Sequence, residues 1–97
     1  MSTPERLRVD VWLWRARLTK TRSAAARLVR EGGVRLMRDG MPRRIEKPSV
    51  EVQAGDALVA PIGGALRTIR VEAIGVRRGP ASEARTLYSE LDAGPLA

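Results

Sequence analysis

The N-terminal part of the chain carries apolar residues at helical spacing. They are separated by four, three and four positions, and they are Leu7, Val11, Trp14 and Leu18. Such spacing brings them to one face of an α-helix, while Arg8 and Arg15, seven positions apart, share a different stripe. The pattern predicts a first helix with an apolar side on the core and a charged side in solvent.

A second helix is predicted from about Arg22 to Arg30, after a tight turn. Thr21 and Ser23 lie where this helix begins, and either hydroxyl can satisfy a free backbone N–H as an N-cap. Gly32 is expected to end the helix as its left-handed residue. The short side chains of residues 24–26 predict a close approach between the two helices.

Beyond Gly33 the apolar residues follow the period of two that is typical of β-strands. The strand segments expected are 34–36, 43–45, 50–52, 57–60 and 67–75. Turns are expected at 38–42, 47–49, 54–56 and 61–64, where glycine, proline and aspartate cluster. The middle of the chain therefore predicts a small sheet.

A third helix is predicted near the C-terminus. Pro80 suits the first turn of a helix, because its missing N–H has no partner there in any case. One face of this helix would carry Ala84, Leu87, Tyr88 and Leu91, and dock on the sheet. The predicted fold class is α+β: a single small domain with two N-terminal helices packed on a small, mostly antiparallel sheet, and a C-terminal helix.

The charge of the chain narrows the choice of partner. Among 97 residues, 18 are Lys or Arg and 11 are Asp or Glu, which gives a formal net charge of +7. Such a charge favours a polyanion, and nucleic acid is the first candidate. Lys20 and Lys47 are the only lysines, so nearly all the positive charge is on guanidinium groups, whose planar donors match phosphate oxygens.

Cysteine and histidine are both absent from the sequence. Disulfides and thiolate metal sites are therefore excluded, and the commonest zinc ligand and general base are missing. We expect no metal, no cofactor and no enzymatic activity. Because the N-terminus has no apolar signal core and no apolar run approaches about 20 residues, we also expect a cytoplasmic protein with no membrane segment.

Basic and hydroxyl residues of the two helices and the first hairpin form the candidate RNA-binding surface. The candidates are Arg8, Arg15, Lys20, Thr21, Arg22, Ser23, Arg27, Arg30, Arg35, Arg38 and Lys47. Between Leu7 and Arg38 the only carboxylates are those of Asp10 and Glu31, so the cations have few internal partners. The alternative is an ordinary solvated helix face, in which Thr21 and Ser23 serve only as caps.

The two tryptophans point about 200 degrees apart on a helix, so at most one belongs to the core face. Trp14 is in line with Leu7, Val11 and Leu18, and we expect it in the core, so that Trp14→Ala would unfold the domain. Trp12 has two interpretations, packing against the C-terminal helix or lining the RNA surface.

Short motifs in a fixed order give the sequence a family resemblance. They are Arg8-Val9-Asp10, Trp12-Leu13-Trp14, Arg17, Lys20-Thr21-Arg22-Ser23, Gly33-Val34-Arg35, Lys47-Pro48-Ser49, Gly55-Asp56, Arg77-Arg78-Gly79-Pro80-Ala81, Glu83-Ala84 and Leu87-Tyr88. With these the chain resembles the RNA-binding domain named from ribosomal protein S4, and within that superfamily the small ribosome-associated heat-shock proteins.

The resemblance implies an αL motif that binds ribosomal RNA along the helices and first hairpin. It implies a stress-response role on free large ribosomal subunits that carry a stalled nascent chain on transfer RNA. On this basis we expect a flexible tail at 1–7, the αL-type RNA-binding unit at 8–60, a C-terminal strand-and-helix extension at 61–92, and a tail at 93–97. A monomer is expected, with peptidyl-tRNA as a further partner.

The first hairpin departs from the family pattern. Residues 36–40 replace a strand that usually ends in Val-Asn-Gly, and Arg38, Arg43 and Arg44 are candidate substitutes for the contacts of that asparagine.

Other functions remain open from sequence. The first is a general RNA- and DNA-binding module or a ribosome-assembly factor; a helix-turn-helix-like DNA binder and an RNA-modifying enzyme are less favoured. The helix pair resembles a helix-turn-helix, but the second helix lacks the Asn and Gln that commonly read adenine, so only weak non-specific DNA binding is expected. An RNA-modifying enzyme is the third class; the acidic residues are too scattered to nominate a catalytic pair.

Overall fold

The computed structural model describes residues 4–91. Its strands are β1 (Leu7–Arg8), β2 (Arg35–Arg38), β3 (Met41–Arg44), β4 (Glu51–Val52), β5 (Ala57–Ile62), β6 (Ala65–Val71) and β7 (Tyr88–Leu91). Its helices are α1 (Val9–Arg15), α2 (Arg22–Glu31) and α3 (Ala81–Ala84), the last followed by a 3₁₀ turn at Arg85–Leu87. The α+β class predicted from the sequence is confirmed.

The sheet joins the middle and the end of the chain. Five strands lie in the order β3-β2-β5-β6-β7, and β1 and β4 form a separate two-stranded pair. All of these pairings are antiparallel. Since β5 runs across residues 60 and 61, the 8–60 unit and the 61–92 extension share one sheet and one core.

One face of the sheet is covered by the N-terminal helices. Leu36, Leu58 and Ile69 lie side by side in the strand register and are almost completely buried. They belong to the same apolar cluster as Ala25 and Val29 of α2. Because side chains alternate along a strand, the neighbouring residues of β2, β5 and β6 point to the opposite, open face.

Helix α1 buries a different face from the one predicted. Its buried residues are Val9, Asp10, Trp12 and Leu13. Leu7, expected on the helix or in the tail, instead pairs with Val52 in a strand, and Leu18 lies beyond the last turn. The helix has only seven residues, so two of the four apolar positions in the periodic pattern, Leu7 and Leu18, are not helical.

The roles expected for the two tryptophans are exchanged. Trp12 is completely buried, and its indole Nε1 donates a hydrogen bond to the carbonyl oxygen of Ala73 at 2.9 Å. Trp14 is half-buried, with the guanidinium of Arg78 5.6 Å from its ring centroid. The prediction that Trp14 is the core residue is therefore wrong.

The C-terminal helix is much shorter than expected. Tyr88 and Leu91, assigned to one helix face, lie in β7, which pairs with β6 from Val71 back to Thr68. The backbone N–H groups of Glu72 and Ala73 both donate to the carbonyl of Leu87. Residues 88–91 therefore form a strand that pairs with the edge of β6. The strand satisfies the backbone N–H and C=O groups of β6, which a docked helix does not do.

Two turns differ in detail from expectation. Gly32 has a φ of −88°, and Gly33, with φ +69°, is the left-handed residue instead. Gly32 is required for space, since a Cβ there would lie 2.4 Å from the carbonyl oxygen of Leu28. The first hairpin turns tightly at Asp39 and Gly40, both with positive φ, as in a type I′ turn.

The ends of the chain are only partly covered by the structure. Arg6 Nε donates to Gln53 Oε1 at 2.9 Å, so part of the tail predicted at 1–7 contacts the domain. The tail predicted at 93–97 lies outside the described residues. No helix within residues 4–91 is long and apolar enough to cross a membrane.

We predict that Trp12→Ala lowers the free energy of unfolding by about 3–5 kcal/mol, because it leaves a cavity in the core. Trp14→Ala is expected to cost about 1–2 kcal/mol, since its half-buried ring loses less apolar contact. Urea unfolding followed by circular dichroism measures both. A greater loss in Trp14→Ala than in Trp12→Ala would contradict the burial described above.

Candidate nucleic-acid interface

The turn between α1 and α2 begins the candidate interface. Thr21 is the N-cap of α2, and its Oγ1 accepts a hydrogen bond from the backbone N–H of Ala24 at 2.9 Å. The hydroxyl of Ser23 lies 3.2 Å from the same oxygen. The predicted capping role of Thr21 is confirmed, and the cap holds Lys20 and Arg22 at the exposed start of the helix.

The exposed face of α2 is basic. Ala25 and Val29 are completely buried, which turns Arg27 and Arg30 outward. Arg27 lies 3.9 Å from Glu31, with most of each side chain exposed, and such a pair contributes little to stability. This face therefore keeps most of its positive charge available to an external anion.

Seven exposed cations make no side-chain hydrogen bond or ion pair among residues 4–91. Six of them lie in the α1–α2 turn, α2, the first hairpin and the turn before β4: Lys20, Arg22, Arg30, Arg35, Arg43 and Lys47. The seventh, Arg85, lies in the 3₁₀ turn after α3. We call the first six the free cations. Arg43 was named from the sequence only as a substitute contact at the altered hairpin.

Arg38 has a structural role that its sequence position did not reveal. Its guanidinium donates to both carboxylate oxygens of Asp56, at 2.9 and 2.8 Å, and also to the carbonyl of Glu51. The hydrogen bond with Asp56 raises the pKa of Arg38. Because this guanidinium neutralises a buried carboxylate, we remove Arg38 from the proposed interface.

Asp56 is a buried carboxylate that the sequence identified only as part of the Gly55-Asp56 motif. Its side chain is 2% exposed, and it also accepts a hydrogen bond from the backbone N–H of Gln53. From the sequence it was a turn residue after Gly55. Its partner lies 18 positions away, so only the pairing of β2 with β5 brings the two together.

Two further candidates near α1 are also engaged within the protein. Arg8 forms a two-point contact with Asp10, at 3.1 and 2.9 Å, and this contact raises the pKa of Arg8. About half of the Arg8 side chain stays exposed, so it remains available for a phosphate. Arg15 donates to the carbonyl of Gly75 at 2.9 Å, and we remove it from the proposed interface.

Arginines clamp residues 73–79 onto the end of α1. Arg17, whose φ is +58°, donates to the carbonyl of Gly79 at 2.6 Å. Arg78 donates in the opposite direction, to the carbonyl of Trp14 at 3.0 Å. With the bonds from Trp12 and Arg15, four side-chain-to-backbone contacts hold this segment. They fix the C-terminal end of α1, from which the α1–α2 turn projects.

Residues 7–36, which contain β1, α1, α2 and the start of β2, match the family model of the S4 domain. The free cations of the turn and α2 lie within this region. The class defined by the fold and the matched region is therefore that of an S4-domain protein.

Relatives define the family more narrowly. Heat shock protein 15 of Vibrio cholerae, whose solved structure is described as trimeric, matches with a TM-score of 0.77 and 40% identity, over 90% of this chain and 83% of that one. The chain belongs to the heat shock protein 15 family. It is 40% identical to heat shock protein 15 of Escherichia coli over 87% of its length, and 34% identical to the Haemophilus influenzae homolog over 89%. It spans 59% and 62% of the lengths of those two relatives.

We predict that Arg38→Gln lowers the free energy of unfolding by about 2–4 kcal/mol, because it leaves the carboxylate of Asp56 without its cation. The matched variant Arg30→Gln, at an exposed position, is expected to change it by less than about 0.5 kcal/mol. Denaturant unfolding measures stability, and RNA affinity is measured where both variants are folded. A stable Arg38→Gln protein with reduced RNA affinity would return Arg38 to the interface.

Proposed function

We propose that the protein binds structured ribosomal RNA through the free cations other than Arg35, by contacts with phosphates. The observation that carries this proposal is the contrast between the two kinds of cation. Arg15, Arg17 and Arg38 are engaged by the fold, whereas the free cations are exposed and have no partner among residues 4–91. A cation without an internal partner is the group that gains most from a phosphate.

The aromatic residues support recognition of the backbone rather than of bases. The chain has two tryptophans, one tyrosine and no phenylalanine. Trp12 is buried, Trp14 lies under Arg78, and Tyr88 packs against the core at the opposite end of the chain. Since stacking on bases needs an open ring, affinity comes from phosphates and from RNA shape, and sequence specificity is weak.

The family relationship supports a ribosomal target. The proposed target is the free large subunit that carries a stalled nascent chain on transfer RNA, and the proposed role is to aid its rescue during stress. We also propose a cytoplasmic location, where that target would be found. We propose a monomer as the RNA-binding unit, although the Vibrio cholerae relative is described as trimeric.

We propose a binding role without catalysis. Asp10 and Asp56 are the buried carboxylates of the described chain, and each is held by an arginine. A carboxylate whose lone pairs are already used is a poor general base. An RNA-cleavage or RNA-modification assay with purified protein tests this, and turnover would contradict it.

Non-specific DNA binding is the competing interpretation. The exposed residues of α2 are Arg22, Ser23, Ala24, Arg27, Arg30 and Glu31. This face holds no Asn or Gln to read adenine edges, so its contacts are with the phosphates of either nucleic acid. Competition between random duplex DNA and a ribosomal RNA fragment separates the two; equal affinity would remove the RNA assignment.

We predict that Arg22→Gln and Arg30→Gln each weaken binding to a ribosomal RNA fragment by about fivefold, without a change in stability. Each should also reduce the slope of log affinity against log salt by about 0.7–0.9. Arg70→Gln is the control, because Arg70 is exposed on the open sheet face and lies 3.7 Å from Glu72. A salt slope near zero in the parent protein would contradict the electrostatic basis of the proposal.

We predict that the tagged protein co-sediments with free large ribosomal subunits in a lysate gradient, and more so after a stress that releases incomplete nascent chains. Arg22→Gln should lower this fraction, and Arg70→Gln should leave it unchanged. Migration with small RNAs or at the top of the gradient would remove the ribosomal target and leave RNA binding in place.

A further inference from the structure

Two arginines lie directly opposite each other on the open face of the sheet. Arg35 of β2 is the cross-strand partner of Arg44 of β3, and on its other side it is paired with Val59. The row continues through Thr68 to Leu91. Because Leu36 and Leu58 of the adjacent row face the helices, this row faces away from α2.

This arrangement is electrostatically unfavourable in the protein alone. Like charges directly opposite on antiparallel strands destabilise the pairing. Arg35 has no side-chain partner among residues 4–91, and Arg44 meets Glu46 at 3.4 Å with well over half of each side chain exposed. One exposed carboxylate against two guanidinium groups leaves a net positive charge at this position.

A phosphate is the ligand that suits this pair. Cβ atoms of directly opposed residues are about 4.5–5.5 Å apart, so two guanidinium groups can converge on a single anion. Each offers planar N–H donors that match phosphate oxygens. The apolar and hydroxyl neighbours in the row, Val59 and Thr68, bring no carboxylate that would repel it.

We propose that Arg35 and Arg44 form a second phosphate-binding site, with which the protein holds a second RNA segment while α2 holds the first. This rests on the proposed function and adds to it a second, separate contact. The two sites lie on opposite faces of the sheet, in a domain whose smallest dimension is 26 Å. Because the two sites lie on opposite faces, we assign the second site to a different RNA segment from the one that lies along α2.

Edge protection is the alternative explanation of these cations. Charged residues and proline on an edge strand prevent it from pairing with another chain, and β3 carries Pro42, Arg43 and Arg44. Under that explanation, removing Arg35 and Arg44 would cause self-association and leave RNA binding unchanged. The oligomeric state of every variant is therefore measured in the buffer used for RNA binding.

The test uses two short RNA duplexes of equal length, one labelled with a donor fluorophore and the other with an acceptor. The protein is expected to bring them together and to produce energy transfer. The double variant Arg35→Gln/Arg44→Gln should bind one duplex within about twofold of the parent affinity but lose energy transfer, with about tenfold weaker binding of the second duplex. Arg35→Lys/Arg44→Lys, which keeps both charges, should restore at least part of the transfer.

The control variants separate this inference from the proposed function. Arg22→Gln/Arg30→Gln should weaken the first duplex contact, and Arg70→Gln, on the same open face, should change neither measurement. If the parent protein binds no duplex at all, the proposed function fails. If it binds one duplex and gives no energy transfer, the second site alone is overturned.

Two further results would overturn the second site. Equal losses of single-duplex affinity in the hairpin and α2 double variants would mean one continuous interface around the hairpin. Energy transfer that disappears only because the oligomer dissociates would mean bridging by multiple copies. Loss of energy transfer at an unchanged oligomeric state is the result that supports two sites on one chain.

Discussion

The burial of Trp12 is the contact on which the rest of the structure depends. Its indole is completely buried in the apolar core, and its N–H donates to the carbonyl of Ala73, 61 positions away. Burial of so large a ring stabilises the packing of α1 against residues from the second half of the chain. The contacts of Arg15, Arg17 and Arg78 then fix the direction in which α1 ends. The α1–α2 turn and its cations take their position from this contact.

The cationic side chains of residues 4–91 fall into two groups, those with partners inside the fold and those without. Some arginines satisfy backbone carbonyls and buried carboxylates, as Arg38 does with Asp56. Others, such as Arg22, are left exposed without a partner among the described residues. The first group holds loops in place and the second is available to phosphates. A chain with a net charge of +7 therefore presents fewer binding cations than its composition suggests, but it presents them from defined elements.

The first hairpin shows how the family pattern and the individual chain combine. Its tip is a tight turn at Asp39 and Gly40, which joins two regular four-residue strands. One arginine of this hairpin, Arg38, forms hydrogen bonds with the buried carboxylate of Asp56. Arg35 and Arg44 are cross-strand partners on the open face. The same short segment thus stabilises the domain and supplies the second phosphate site that we propose.

The sequence by itself determined the charge, the α+β class, the cap at Thr21 and the hairpins, because these depend on composition and on residues a few positions apart. It also carried the motifs by which the chain resembles its family. Only the tertiary structure decided that Trp12 rather than Trp14 enters the core, that Tyr88–Leu91 is a strand, and which arginines are free. Each of these depends on a partner 17 to 64 positions away, such as Val71 for Tyr88 or Trp14 for Arg78. Local periodicity holds no information about such partners, because they are brought together only when the sheet and its edges are paired.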